Sequence, residues 1–303
     1  MVRQLRLRER LIDPNSPDRR PRKAVYALPT LFTAGNLFLG YLSIVKTFQG
    51  SLLAASGSLG FNPHLEVAAI TIGVAVFLDG LDGRIARLTN TVSDFGRELD
   101  SLADVIAFGV APSILAWVWG FQFVTAGISG QSIEHLHRAG YFFVFLYLMC
   151  GASRLARFNI QIDPVPKNPG RPGRKYFVGL PIPAAAAFIA AVVYASGCAP
   201  LEWWPMSVAW LATVGLLSFL MISTWRYRSF KDFNLLRPQS PISVVMLGSL
   251  IYLIWNYSHP VLLAMAICYT GSGIVIRIGG VLKRRFRPSQ PSPEEPALEI
   301  ENG

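Results

Sequence analysis

The chain has 303 residues, 52% of them hydrophobic and 15% charged, with a mean hydropathy of +0.39. A soluble domain carries about 25% charged residues, so this composition excludes ordinary soluble domains and indicates a polytopic membrane domain. The net charge of +10 comes with no basic, aromatic-interleaved soluble segment, which excludes a nucleic-acid-binding module. Three cysteines without a CxxC pair exclude a zinc ribbon or a dithiol redox centre.

Taken in chain order, residues 1–27 are basic and polar and lack the apolar core of a signal peptide, so they read as a cytoplasmic N-terminal segment. Residues 28–280 form one transmembrane domain. Crossing ~30 Å of hydrocarbon takes about 20 apolar residues. Eight stretches approach or exceed that length, near 28–47, 66–88, 100–122, 140–158, 180–198, 205–224, 241–257 and 260–280. Residues 281–303 are rich in Pro and Glu and are expected to be a disordered cytoplasmic tail.

Loop charge supports this count. Arginine and lysine crowd the N-terminal segment (Arg3 to Lys23), the second connection (Arg84, Arg87, Arg97), the fourth (Arg154, Arg157, Lys167, Arg171, Arg174, Lys175), the sixth (Arg226, Arg228, Lys231, Arg237) and the tail (Lys283 to Arg287). The alternating connections hold almost none. The positive-inside bias then places both termini in the cytoplasm. The fold class is all-α: a membrane helical bundle of about eight spans with a cavity facing the cytoplasm. Glu134, His135 and His137 fit no strong metal spacing and read as a solvated external loop.

Six of the eighteen carboxylates fall between Asp79 and Asp104, in DGLDGRIARLTNTVSDFGRELDSLAD. Carboxylates at a membrane segment are costly and mark function. Asp79 and Asp82 share a helical face at i, i+3, and Asp100 and Asp104 share one at i, i+4. The polar residues between them turn at the cytoplasmic surface, with Thr91, Ser93 and Asp94 as candidate caps for the next helix. Asp79 lies about 18 Å along its helix from Val67 at 1.5 Å per residue, which lets all four aspartates meet at one level. Oxygen-only ligands suit hard divalent cations, Mg²⁺, Mn²⁺ or Ca²⁺, and two such ions can clamp a phosphate undergoing in-line displacement. Gly83, Ala86 and Gly96 are small enough for close approach, and Arg87 can meet a phosphate. Asp94 and Glu98 read as surface charge.

At these residues the chain resembles the CDP-alcohol phosphatidyltransferase family. The family pattern is Asp, two residues, Asp-Gly, two residues, Ala-Arg, eight residues, Gly, three residues, Asp, three residues, Asp. It reads here as Asp79, Asp82-Gly83, Ala86-Arg87, Gly96, Asp100 and Asp104, with every fixed position and gap matched. The resemblance implies that Asp79, Asp82, Asp100 and Asp104 hold two divalent cations, Mg²⁺ or Mn²⁺. It implies that these residues with Gly83, Ala86, Arg87 and Gly96 bind the CDP part of the donor. It also implies that Asp104, with Asp100 at its side, does catalytic work as the base on the acceptor hydroxyl. A homodimer in a bacterial inner membrane is implied as well.

The segments LPTLFTAGNLFLGYLSI, GASRLARFNI, YFVGLPIPAAAA and RYRSFKDFNL are similar to the phosphatidylserine synthase branch of that family. Ile182 stands where that branch commonly has Ser. The branch implies CDP-diacylglycerol as donor and L-serine as acceptor, with phosphatidylserine and CMP as products. Arg154 and Arg157, at i, i+3, and Asn159 are candidates for binding the acceptor; a topological role for the two arginines is the alternative. Glycerol 3-phosphate or inositol as acceptor is the alternative within the fold, and an ion or metal transporter is the alternative from another class. A transporter would place its carboxylates near the midplane in two related halves, and no second half repeats them here.

Overall fold

In hydrocarbon each backbone N–H and C=O must find its partner within the protein, so apolar segments fold as helices. The computed structural model of the chain describes residues 23–89, 94–127, 129–160, 176–228 and 241–285. The expected N-terminal segment and tail fall largely outside the described residues, as do Lys167, Arg171, Arg174 and Lys175.

The elements in order are α1 (Lys23–Ala55), α2 (Pro63–Thr89), α3 (Asp94–Asp104), a π-helical turn (Val105–Val110), α4 (Ala111–Gly120), α5 (Gly130–Ile160), β1 (Tyr176–Val178), α6 (Ile182–Ala195), α7 (Trp204–Ile222), β2 (Arg226–Arg228), α8 (Pro241–Asn256) and α9 (Ser258–Arg285). Among the described residues, six stretches are long and apolar enough to cross a membrane: Leu31–Ala55, Pro63–Leu81, Phe95–Gly120, Gly130–Ile160, Trp204–Ile222 and Ser258–Arg277. Two apolar helices are shorter, Ile182–Ala195 and Val244–Asn256. Together these eight follow the order of the expected spans. The protein is an integral, nearly all-helical membrane protein.

The fifth apolar helix, α6, is shorter than its expected span for a local reason. Pro181 holds an extended ψ of 139° at its start, and Gly197 takes φ +72° after its end. Its 14 residues reach about 21 Å, less than the hydrocarbon thickness. Ile182, Ala185, Ala186, Ile189 and Val193 are all buried. Protein surrounds this helix, so its length need not match the lipid.

Helix α1 shows how the bundle is drawn together. Thr33, Asn36, Gly40, Ser43, Thr47 and Gly50 are buried at alternating spacings of three and four, while Leu31, Phe38, Tyr41, Phe48 and Leu52 are exposed on its other side. Lipid tails satisfy the large apolar face. The small and polar face packs on protein, because membrane helices associate by close backbone approach and buried hydrogen bonds. A Cβ on Gly40 would lie 2.7 Å from the Cα of Ala107, and one on Gly50 would lie 2.6 Å from Cδ2 of Leu65. Ser43 Oγ donates to the carbonyl of Ala68 at 3.0 Å. These contacts seat α1 against both α2 and the π-helical turn.

At the end of the bundle that carries the aspartates, β1 pairs antiparallel with β2, Phe177 opposite Tyr227. Tyr227 is buried, donates to the carbonyl of Thr270 at 3.4 Å and occupies the space that a side chain on Gly273 would need. Burial, with Tyr269 nearby, pushes its phenol up to about 12. This ladder ties the segments after α5 and α7 to α9.

The Gly40 contact gives a direct test. Gly40→Val places branched carbon against backbone that cannot yield, and overpacking of this kind costs about 1–3 kcal/mol. The variant should show a lower thermal midpoint in detergent than the parent, whereas a conservative change on the lipid face of the same helix, Phe38→Leu, should not.

Candidate active site

Asp79 sits just past the middle of α2, and Asp100 and Asp104 sit one turn apart on α3. A carboxylate oxygen from each lies within 4.8 Å of the other two, and none of the three residues is exposed. The i, i+4 spacing puts two of them on one face of α3, and the antiparallel return from α2 supplies the third. Asp82, Gly83, Ala86 and Arg87 continue α2, and their side chains lie outside the described residues. Gly96 is partly buried two turns before Asp104 on α3.

The helix changes character just beyond Asp104. Residues 105–110 form a π-helical turn, and the Ala111 N–H reaches back five residues to the carbonyl of Ile106. Pro112 follows, and proline has no N–H to give. In an α-helical register the carbonyl of Phe108 would have depended on that donor. The hydroxyl of Tyr147, fully buried on α5, donates to Phe108 O instead, at 3.0 Å. Ser113 Oγ donates to the carbonyl of Gly109. Such π-turns recur at functional sites because they shift the phase of a helix. Here the shift separates the face carrying Asp100 and Asp104 from the buried face of α4, with Leu115 and Ala116.

Helix α1 adds Asn36, which is 2% exposed. Its Nδ2 donates to Asp104 Oδ1 at 3.5 Å, and its Oδ1 is buried without a hydrogen-bond partner among the described residues. Gly40 makes this approach possible one helical turn away, through its contact with Ala107.

Helix α5 brings the candidate acceptor residues to the same end. Asn159 Nδ2 donates to Ser101 Oγ at 3.0 Å, so its amide is bound to α3 between Asp100 and Asp104. Arg154 is buried, with its guanidinium carbon 4.6 Å above the ring of Phe158. Its electrostatic neighbours are Arg157 and, from α9, Tyr269. Nε of Arg154 and both Nε and Nη2 of Arg157 are buried without hydrogen-bond partners among the described residues. A buried guanidinium with unused donors suits an anion. At the opposite end, Glu134 pairs with Arg138 and His137 bonds the carbonyl of Phe121 at 2.9 Å. Both therefore serve the start of α5, where the sequence predicts a solvated external loop.

The donor set of Asp79, Asp100 and Asp104 is anionic and all oxygen, which fits a hard divalent cation. A membrane bundle that gathers carboxylates and unfilled guanidinium donors at one end defines a membrane-embedded enzyme acting on phosphate-bearing ligands. The profile of the CDP-alcohol phosphatidyltransferase family matches residues 26–217, and the chain belongs to that family, which is generally dependent on divalent metals.

Relatives narrow the comparison. The chain is 38% identical over 212 residues to a CDP-diacylglycerol–serine O-phosphatidyltransferase of Helicobacter pylori, covering 70% of this chain and 76% of the relative. It is 34% identical over 204 residues to the Bacillus subtilis protein of the same name, covering 67% and 91%. It is 36% identical over 203 residues to an archaetidylserine synthase of Methanothermobacter thermautotrophicus, covering 66% and 69%.

Three features escaped sequence reading: Asn36, the π-turn and Tyr147. Pro112 within an apolar run signalled the irregular turn, and the three-four spacing of Thr33, Asn36, Gly40 and Ser43 signalled a buried polar face. Nothing in the sequence singled out Tyr147 among the aromatics of α5. Removing its hydroxyl leaves a buried carbonyl without its donor, at about 1–3 kcal/mol. Tyr147→Phe should therefore unfold at lower temperature than the parent, read by thermal denaturation in detergent.

Proposed function

We propose that the protein is a CDP-diacylglycerol–serine O-phosphatidyltransferase, transferring the phosphatidyl group of CDP-diacylglycerol to the hydroxyl of L-serine. The observation that carries this reading is the convergence of Asp79, Asp100 and Asp104 at the end of the bundle to which Asn159 ties α5, with its buried Arg154 and half-buried Arg157. The family motif and the names of the relatives support the same assignment.

In the proposed reaction the serine hydroxyl oxygen bonds to the phosphorus that bears the diacylglycerol. The bond from that phosphorus to the bridging oxygen of CMP breaks, and CMP leaves with the electron pair. Asp104 accepts the hydroxyl proton as general base. Asp79, Asp82, Asp100 and Asp104 would hold two divalent cations, Mg²⁺ or Mn²⁺, which when bound neutralise charge developing on the diphosphate. Gly83, Ala86 and Gly96 leave room for the cytidine diphosphate, and Arg87 pairs with its phosphates. Arg154 and Arg157 present charged donors suited to the serine carboxylate, while Asn159 positions α5 through Ser101.

The basic residues concentrated at the aspartate end of the bundle support a cytoplasmic site with both termini on that side. A bacterial inner membrane is the corresponding location. Residues 28–280 would form the catalytic domain, with 1–27 and 281–303 as flanking segments. The family resemblance supports a homodimer.

The test is CMP release by the purified protein given CDP-diacylglycerol, Mg²⁺ or Mn²⁺, and serine, glycerol 3-phosphate or inositol in turn. Serine should support release and yield phosphatidylserine. Release with glycerol 3-phosphate or inositol and none with serine would refute the acceptor. Asp100→Asn should lower the rate about 100-fold or more, because even outer-shell changes at metal sites cost about 10–100-fold, and should keep the helical circular-dichroism signal. A fully active Asp100→Asn would refute the metal assignment.

A further inference from the structure

We propose that Asn36 is a specificity-determining residue, its side-chain oxygen receiving the ammonium group of the acceptor while its nitrogen steadies Asp104. This rests on the reading of serine as acceptor and Asp104 as base.

Asn36 is 98% removed from solvent by its 2% exposure, yet only half of its amide is used. Nδ2 faces Asp104 Oδ1 at 3.5 Å, and Oδ1 has no donor among the described residues. A buried carbonyl-type oxygen left without a partner is destabilising, so a water, an ion or a ligand has to supply its donor. The side chain cannot turn away to solvent, because Gly40 holds this face of α1 against Ala107.

The missing partner must be a donor. Three carboxylates within 4.8 Å make the neighbourhood favourable to a cationic donor. The trigonal amide that aims its nitrogen at Asp104 necessarily turns its oxygen aside from that carboxylate, so oxygen and carboxylate offer two separate acceptors one hydrogen bond apart. Serine carries its hydroxyl and its ammonium on adjacent carbons. With the hydroxyl at Asp104, the ammonium falls within reach of Asn36. The arginines of α5 are unsuited to an ammonium and are left for the carboxylate. An acceptor alcohol without an amino group would leave the Asn36 oxygen unfilled, and a site whose buried polar group stays unpaired discriminates strongly against such a ligand.

The experiment compares serine with 3-hydroxypropionate, which keeps the hydroxyl and the carboxylate and lacks the ammonium. The KM for serine and the inhibition constant of 3-hydroxypropionate are measured on the full-length protein and on Asn36→Ala. Removing the ammonium's partner should raise the serine KM about 10-fold, the size of one charge-assisted hydrogen bond. Measured at saturating Mn²⁺, it should leave the 3-hydroxypropionate constant and the KM for CDP-diacylglycerol unchanged, while loss of the Nδ2 contact to Asp104 weakens Mn²⁺ binding itself. Asn36→Leu, which keeps the side-chain volume and removes both polar atoms, gives the same comparison if Asn36→Ala does not fold.

Equal shifts for both acceptor ligands, or unchanged constants for both, would overturn the proposal. A serine KM that returns to the parent value once Mn²⁺ is saturating would reassign Asn36 to the metal and overturn it too. Asp104→Asn separates the failures. If Asp104→Asn is active, the base assignment beneath the proposal is wrong; if it is inactive and Asn36→Ala shows no serine-selective effect, only the Asn36 assignment falls.

Discussion

Three carboxylate oxygens within 4.8 Å of one another set the terms for the rest of the fold. At the effective dielectric of a protein site, each pair of charges at that separation repels by about 3–4 kcal/mol. Water would relieve much of this at an open surface, but none of the three residues is exposed. Either protons or positive charge must balance them. A protonated cluster would lose both its ligands and its base, so the chemistry of the family favours cations. The bundle must then keep these oxygens together against their own repulsion when the site is empty.

Close packing supplies that restraint. Small residues on α1 admit the backbone at Ala107 and the side chain of Leu65 to near-contact distances, fixing α1, α2 and the π-turn as one unit. Tyr147 caps the carbonyl released by Pro112, so the break beyond Asp104 is fixed in place. Asn159 links α5 to α3 at Ser101, which carries Arg154 and Arg157 to the same end as the aspartates. The ladder between β1 and β2 closes that end against α9. Each restraint lies outside the aspartate motif, yet each determines where a motif residue points.

The legible part of this arrangement was periodic. Helical spacing alone put Asp100 and Asp104 on one face, and hydropathy with loop charge located the apolar segments in order. Residues 105–110 were read as unbroken helix, because a π-turn leaves no imprint on hydropathy and only Pro112 betrays it. Helix α6 was expected to be longer, since its buried apolar residues look the same to a hydropathy window as lipid-facing ones. Asn36 passed as one polar residue in an apolar span. Its meaning depends on Gly40 meeting Ala107, 67 positions away in the chain, which is tertiary information. Arg154 and Arg157 were visible as basic residues, but their burial and unused donors emerge only once α5 is packed.

The central claim is that the aspartate cluster binds divalent metal through carboxylates from two helices. Mn²⁺ binding to the purified protein, followed by electron paramagnetic resonance without substrates, tests it most directly. The parent should take up the ion with a saturable signal change, and Asp79→Asn, which removes one of the two α2 ligands while leaving α3 intact, should weaken binding about 10-fold or more with helicity unchanged. Equal Mn²⁺ binding by the parent and Asp79→Asn would contradict the claim.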